Sequence, residues 1–215
     1  QDLHFLRLSR EQSFKKNRAP DLASELEYDP SAVIRELSSI HRVDLTWLIS
    51  PYEKKLLEQE FGVLSSRLAL SRFAYPKRAF ATPESGGLGY EGRAGFCFVG
   101  NFRHAPNLDA LRWLRDELWP EIRGLNPEAQ IQVWGAYPTQ EVMEAHAPKK
   151  GFLVHGVAET LAQVFARARV SLAPVRFGAG IKGKISDSWD WGVPVVSTPL
   201  GFEGMCEHVP DWVQG

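Results

Sequence analysis

At 215 residues, with 44 % hydrophobic and 24 % charged side chains, the chain has apolar material for one large domain, or one domain with part of another, and falls outside the disordered class. Its formal net charge of −1 offers no attraction to a nucleic-acid backbone, so nucleic acid is not an expected partner. Cys97 and Cys206, its two cysteines, make neither a disulfide framework nor a zinc motif, and no apolar stretch approaches the roughly 20 residues that cross a bilayer.

The sequence opens on Gln1 rather than Met and reads as a fragment, so the lack of a targeting signal says little about its parent; the two cysteines favour a reducing, cytoplasmic compartment. Asp29-Pro30 ahead of Val33, Ile34, Leu37 and Ile40 predicts a capped amphipathic helix. Leu45 to Ile49 is β-rich. Ser50-Pro51-Tyr52-Glu53 then reads as a capping box with proline at the first helical position, and Gly62 as the end of that helix. Leu68 to Phe73 reads as another strand. Residues 74–94 are rich in proline and glycine without apolar periodicity, which places a linker there, between a partial first domain over 1–73 and a second over 95–215 that is truncated at its end.

From Phe96 onward strands and helices alternate. The predicted strands are Phe96 to Val99, Ile131 to Trp134, Phe152 to Val154, Val170 to Ala173 and Pro194 to Ser197. The predicted helices are Asn107 to about Leu118, Thr139 to His146, Glu159 to Ala168 and Ile181 to Trp191. Alternation with short connections implies an α/β fold, a Rossmann-like doubly wound parallel sheet accompanied by a partial second α/β domain. Ligands of such sheets bind beyond the carboxyl ends of the strands.

Gly178-Ala179-Gly180-Ile181-Lys182-Gly183-Lys184 lies between a predicted strand and a predicted helix. Glycines admit close backbone approach, N–H groups at a helix start face outward, and two lysines add charge, a combination suited to a diphosphate. The string fits GxxxxGK, but Ile185 stands where a P-loop needs Ser or Thr for magnesium. Gly178, Gly180 and Gly183 also fit GxGxxG, with Glu203 twenty residues beyond, although that fingerprint normally follows the first strand of its domain.

The same stretch continues through Asp187 into Gly192-Val193-Pro194-Val195-Val196, Ser197 to Gly201 and Glu203-Gly204. Together with Phe98 to Asn101, Pro106-Asn107, and Val154-His155-Gly156-Val157, it resembles the donor-binding domain of glycosyltransferase family 4, the group 1 glycosyltransferases. The resemblance covers roughly Phe96 to Met205. It implies a GT-B fold and a retaining enzyme that moves a sugar from a nucleotide-sugar donor to an acceptor the sequence does not identify.

By that resemblance Gly178, Ala179, Gly180 and Ile181 face the donor diphosphate, and Lys182 and Lys184 offset its charge as the sugar leaves. Asp187 takes the second position of the family's paired acids and meets the donor ribose, whereas the first position is occupied by Ala179. Gly100 and Asn101 would line the donor site, Gly156 and Val157 would touch the base, and His4 would sit on the acceptor side. Turn and strand-end duties are the structural alternatives for Gly100, Asn101 and Gly156, and a surface ion pair is the alternative for Lys184 and Asp187. Neither histidines at metal-ligand spacing nor a DxD pair occurs, so metal-independent chemistry without a cofactor is expected. A non-catalytic nucleotide-sugar-binding module is the competing reading, favoured by Ala179; a P-loop-like NTPase is the more distant one.

Overall fold

The computed structural model describes residues 2–16, 26–71, 73–75 and 88–205. The expected linker falls largely outside them, as do Cys206 and the end of the chain. The protein divides into two compact units: one formed by Gln1–Ala74, Arg176–Lys182 and Pro199–Gly215, the other by Tyr75–Val175 and Gly183–Thr198.

The first unit begins with α1 (His4–Lys15), for which the sequence supplies no capping side chain. Its first N–H groups are satisfied from elsewhere: Glu36 accepts from His4 and Phe5 at 2.8 and 2.9 Å, and Glu53 from Leu3 at 2.9 Å. α2 (Pro30–His41) starts where Asp29 caps it. β1 (Thr46–Leu48) leads into α3 (Pro51–Gln59), and β2 (Leu68–Leu70) pairs parallel to β1. Phe5, Leu6, Ile40, Leu48, Leu56, Leu57 and Leu68 form the core of this unit. The box at Ser50 is half realised. Ser50 Oγ accepts from Glu53 N–H, but the Glu53 carboxylate turns away from the helix end to Leu3 and Gly180.

The second unit is the expected α/β sandwich. Its strands are β3 (Phe96–Asn101), β4 (Ile131–Ala136), β5 (Phe152–Gly156), β6 (Val170–Ala173) and β7 (Val195–Ser197), all parallel, in the order β5-β4-β3-β6-β7. The chain builds outward from β3 to β5, then crosses to the other side of β3 for β6 and β7. That reversal makes a switch point between β3 and β6.

Alternating side chains load the two faces. Phe98, Ile131, Val133, Phe152 and Val154 pack with Leu111 and Leu114 on one, and Cys97 packs with Val164, Phe165, Ala168 and Val193 on the other. This two-sided burial is what parallel strands require.

Helix bounds depart from the sequence reading at all four helices predicted for this unit. α4 (Ala105–Trp113) runs on through a π-helical turn, Leu114–Leu118, into α5 (Trp119–Leu125). Pro120 has no N–H for the carbonyl of Asp116, and the widened turn directly before it accommodates the loss without ending the helix. α6 (Gln140–Glu144) and α7 (Leu161–Phe165) are shorter than expected and are capped by Thr139 and Thr160. α8 (Gly183–Asp190) begins two residues after the expected start. Ile181 and Lys182 are left in the turn, where Gly180 adopts φ +67° and the Lys182 ammonium reaches back to the Gly180 carbonyl at 2.5 Å.

Candidate functional site

Three expected site residues meet at the switch point of the second unit. Gly100 and Asn101 end β3, and Lys184 lies in the first turn of α8, the helix that follows β6. The link between them is Asn107 of α4. Its side-chain amide donates to the Asn101 carbonyl at 2.9 Å, and its Oδ1 accepts from Lys184 Nζ at 2.5 Å. Gly100 makes room for that side chain, since a Cβ there would come within 3.1 Å of Asn107 Cβ. The Lys184 ammonium also lies 5.0 Å from the centre of the Phe98 ring, a cation–π distance. A half-buried lysine is thus held beside the first N–H groups of an eight-residue helix, which have no acceptors within the helix. A positive side chain at the start of a helix suits an anion.

Asp187, one turn further along α8, accepts from the Tyr75 hydroxyl at 2.9 Å. Burial holds its carboxyl above the usual range, opposed by the Tyr75 hydrogen bond and assisted by the nearby charge of Asp190. Burial together with the Asp187 hydrogen bond pushes the Tyr75 phenol up to about 12. Gly156 and Val157 stand at the carboxyl end of the edge strand β5. Gly156 ends it at φ +79°, a left-handed conformation that favours glycine, and Val157 is exposed. The ring of His155, just before them in β5, stacks on Trp134 at 4.3 Å.

The remaining expected residues belong to the first unit. Gly178 (φ +144°) and Gly180 take backbone conformations suited to glycine, and their polar groups are engaged by side chains. Gly180 N–H donates to Glu53 Oε1 at 3.0 Å, and the Gly178 carbonyl accepts from Arg10 at 2.9 Å. Arg10, fully buried on α1, makes a two-pronged pair with Glu203 at 2.8 and 2.7 Å. Ala179 packs against the core of this unit and Ile181 is half-buried. Lys182 is buried and its ammonium is lowered to about 8, chiefly by burial and against the attraction of Glu203. His4 is exposed at the start of α1, its Nδ1 2.9 Å from the Arg7 guanidinium.

Sequence reasoning missed Asn107, Arg10 and Glu53 as site residues. Asn107 follows a proline at a helix start, where an asparagine reads as local capping; its neighbour Gly100, small where a strand ends, was the available hint. Among the described residues no three His, Cys, Asp or Glu side chains come together to hold a metal ion, and no helix is long and apolar enough to cross a membrane.

Residues 93–215 match the family described as group 1 glycosyl transferases. The chain belongs to that family. Solved structures agree with this family membership at the level of fold. The pneumococcal O-GlcNAc transferase GtfA, in complex with UDP and GlcNAc, is 13 % identical with a TM-score of 0.59, over 89 % of this chain and 40 % of its own. HepE of Anabaena, in complex with UDP and glucose, is 14 % identical with a TM-score of 0.59, over 94 % and 59 %. A glycosyltransferase from Rickettsia africae is 12 % identical with a TM-score of 0.54, over 93 % and 62 %. The chain therefore spans between two-fifths and about three-fifths of the length of these structures. No curated protein sequence matches it.

Proposed function

We propose that this chain carries the nucleotide-sugar-binding part of a retaining glycosyltransferase of the family 4 type, taking a nucleoside diphosphate sugar at the β3/β6 switch point and passing the sugar to an acceptor. The observation that carries this reading is Lys184, fixed by Asn107 and Phe98 in the first turn of α8. A sugar–diphosphate bond breaks with negative charge building on the phosphate. Donors and a cation already in place stabilise that charge without reorganising.

Gly100 and Asn101 shape the floor of the site, Asp187 addresses the ribose, Gly156 and Val157 the base, and the turn Gly178, Ala179, Gly180, Ile181 and Lys182 leads into α8. His4 is assigned to the acceptor side. No metal or cofactor takes part, since the lysine and the helix start supply the positive charge that a divalent ion would otherwise bring. The UDP complexes of GtfA and HepE make UDP the first donor nucleotide to try.

Titration calorimetry with UDP, GDP and ADP sugars, with and without EDTA, tests the reading. Binding of one of them unaffected by EDTA is the expected result, whereas preference for ATP with magnesium would overturn it in favour of an NTPase. One observation favours a non-catalytic binding module: Ala179 supplies no carboxylate where the family's first acid would stand. Donor binding without transfer or donor hydrolysis by a chain of full relative length would select that alternative.

A further inference from the structure

The turn Gly178–Lys182 is tied down by side chains distant in sequence, and the way it is tied is costly. Glu53 Oε1 accepts two N–H groups, from Gly180 and from Leu3. Its other oxygen, Oε2, is buried and has no hydrogen-bond partner among the described residues. Beside it Arg10, paired to Glu203, holds the Gly178 carbonyl, and Lys182 holds that of Gly180. All four charged side chains are buried. A buried carboxylate with half its acceptor capacity unmet destabilises a fold, and a neutral acceptor of the same shape would close the turn with less penalty. Retaining the acid makes sense where its charge is used.

We propose that Glu53, backed by Arg10 and Glu203, is the positioning residue of the glycine turn: its ionised carboxylate fixes the Gly180 N–H inward and sets the turn conformation that accepts the donor. The inference rests on the reading that this turn serves the donor. Burial places the titration of Glu53 near neutrality. Burial raises its carboxyl to about 7, opposed by the hydrogen bonds from Leu3 and Gly180 and by the charge of Lys182, with Asp2, next to α1, adding to the rise. Burial lowers Lys182 to about 8, with Glu203, Glu53 and Asp2 opposing and Arg10 assisting. The donor-accepting form therefore spans pH 7 to 8, with Glu53 ionised and Lys182 still charged.

Amide NMR of the 215-residue chain and of Glu53→Gln, from pH 5.5 to 8, reads the tie directly, and calorimetry with UDP, GDP and ADP at pH 6 and 8 reads its consequence. In the wild type the Gly180 amide signal moves as the pH crosses about 7, and affinity for the nucleotide that binds rises about fivefold more from pH 6 to 8 than in the variant, the difference between a charged and a neutral acceptor. Neither effect appears in Glu53→Gln. A Gly180 signal that stays still, or a variant that follows the wild type in both readouts, overturns the proposal while leaving donor binding intact. A Gly180 signal that titrates in a chain that binds none of the three nucleotides retires the donor reading, and the donor-setting role with it. Should the variant not fold, the wild type decides: a Gly180 signal that titrates together with a rise in nucleotide affinity from pH 6 to 8 supports the proposal, and one that titrates with no change in affinity overturns it.

Discussion

Replacing Glu53 by glutamine keeps the shape and the accepting oxygen of the side chain and removes its charge. In the unfolded chain this carboxyl titrates at its ordinary 4.5, and in the folded chain burial raises it to about 7. The folded state then holds the proton more tightly, so the stability this group contributes is complete below pH 4.5 and is lost as the pH rises through about 7. At about 1.4 kcal/mol for each tenfold in proton affinity, the loss reaches roughly 3 kcal/mol at pH 8, with under about 1 kcal/mol of it incurred by pH 5. Glu53→Gln escapes that loss. The stability of the variant relative to wild type therefore rises by roughly 2 to 3 kcal/mol between pH 5 and pH 8, measured by urea denaturation at both pH values. A difference that does not change with pH would refute the argument that burial controls this acid.

Lys184→Ala removes the expected donor-binding cation in the first turn of α8 and weakens nucleoside diphosphate binding by about 1 kcal/mol or more, beyond what an exposed ion pair contributes; unchanged affinity in calorimetry would place Lys184 outside the site. Gly180→Ala puts a Cβ 2.8 Å from that of Asp2 at φ +67°, so its thermal unfolding reports a loss of about 1 to 3 kcal/mol, and an unaltered melting temperature contradicts the turn geometry. Arg10→Ala strands the buried Glu203 carboxylate and destabilises by about 3 to 5 kcal/mol, which chemical denaturation reads; a loss below about 1 kcal/mol would mean the pair is solvated in solution.

The strand and helix alternation of the second unit was legible because each element writes its own period into nearby residues. The same holds for the start of α2, where Asp29 and Pro30 act within one turn. What stayed hidden depends on partners far along the chain. Ser50 and Glu53 have the spacing of a reciprocal cap, yet the Glu53 carboxylate is drawn to Leu3, 50 residues away, and to Gly180, 127 away. Arg10 carries no signal in its local sequence, yet it is fully buried against a carboxylate 193 residues on. The start of α8 was placed at Ile181 from local pattern alone, while the turn before it is fixed by those distant side chains. For the candidate site, the glycine turn and Lys184 could be read directly, and Asn107, which orients Lys184 from 77 residues away, could not.

The central claim is that a nucleotide diphosphate sits at the start of α8. Amide chemical-shift mapping on adding UDP, GDP or ADP in turn addresses it most directly. The largest shifts are expected at Gly183, Lys184 and Ile185, accompanied by Asn101 and the Asn107 side-chain amide. Shifts centred elsewhere, for instance on Gln132, Trp134 and Gln163 beside the other face of the sheet, or no response to any of the three nucleotides, would contradict it.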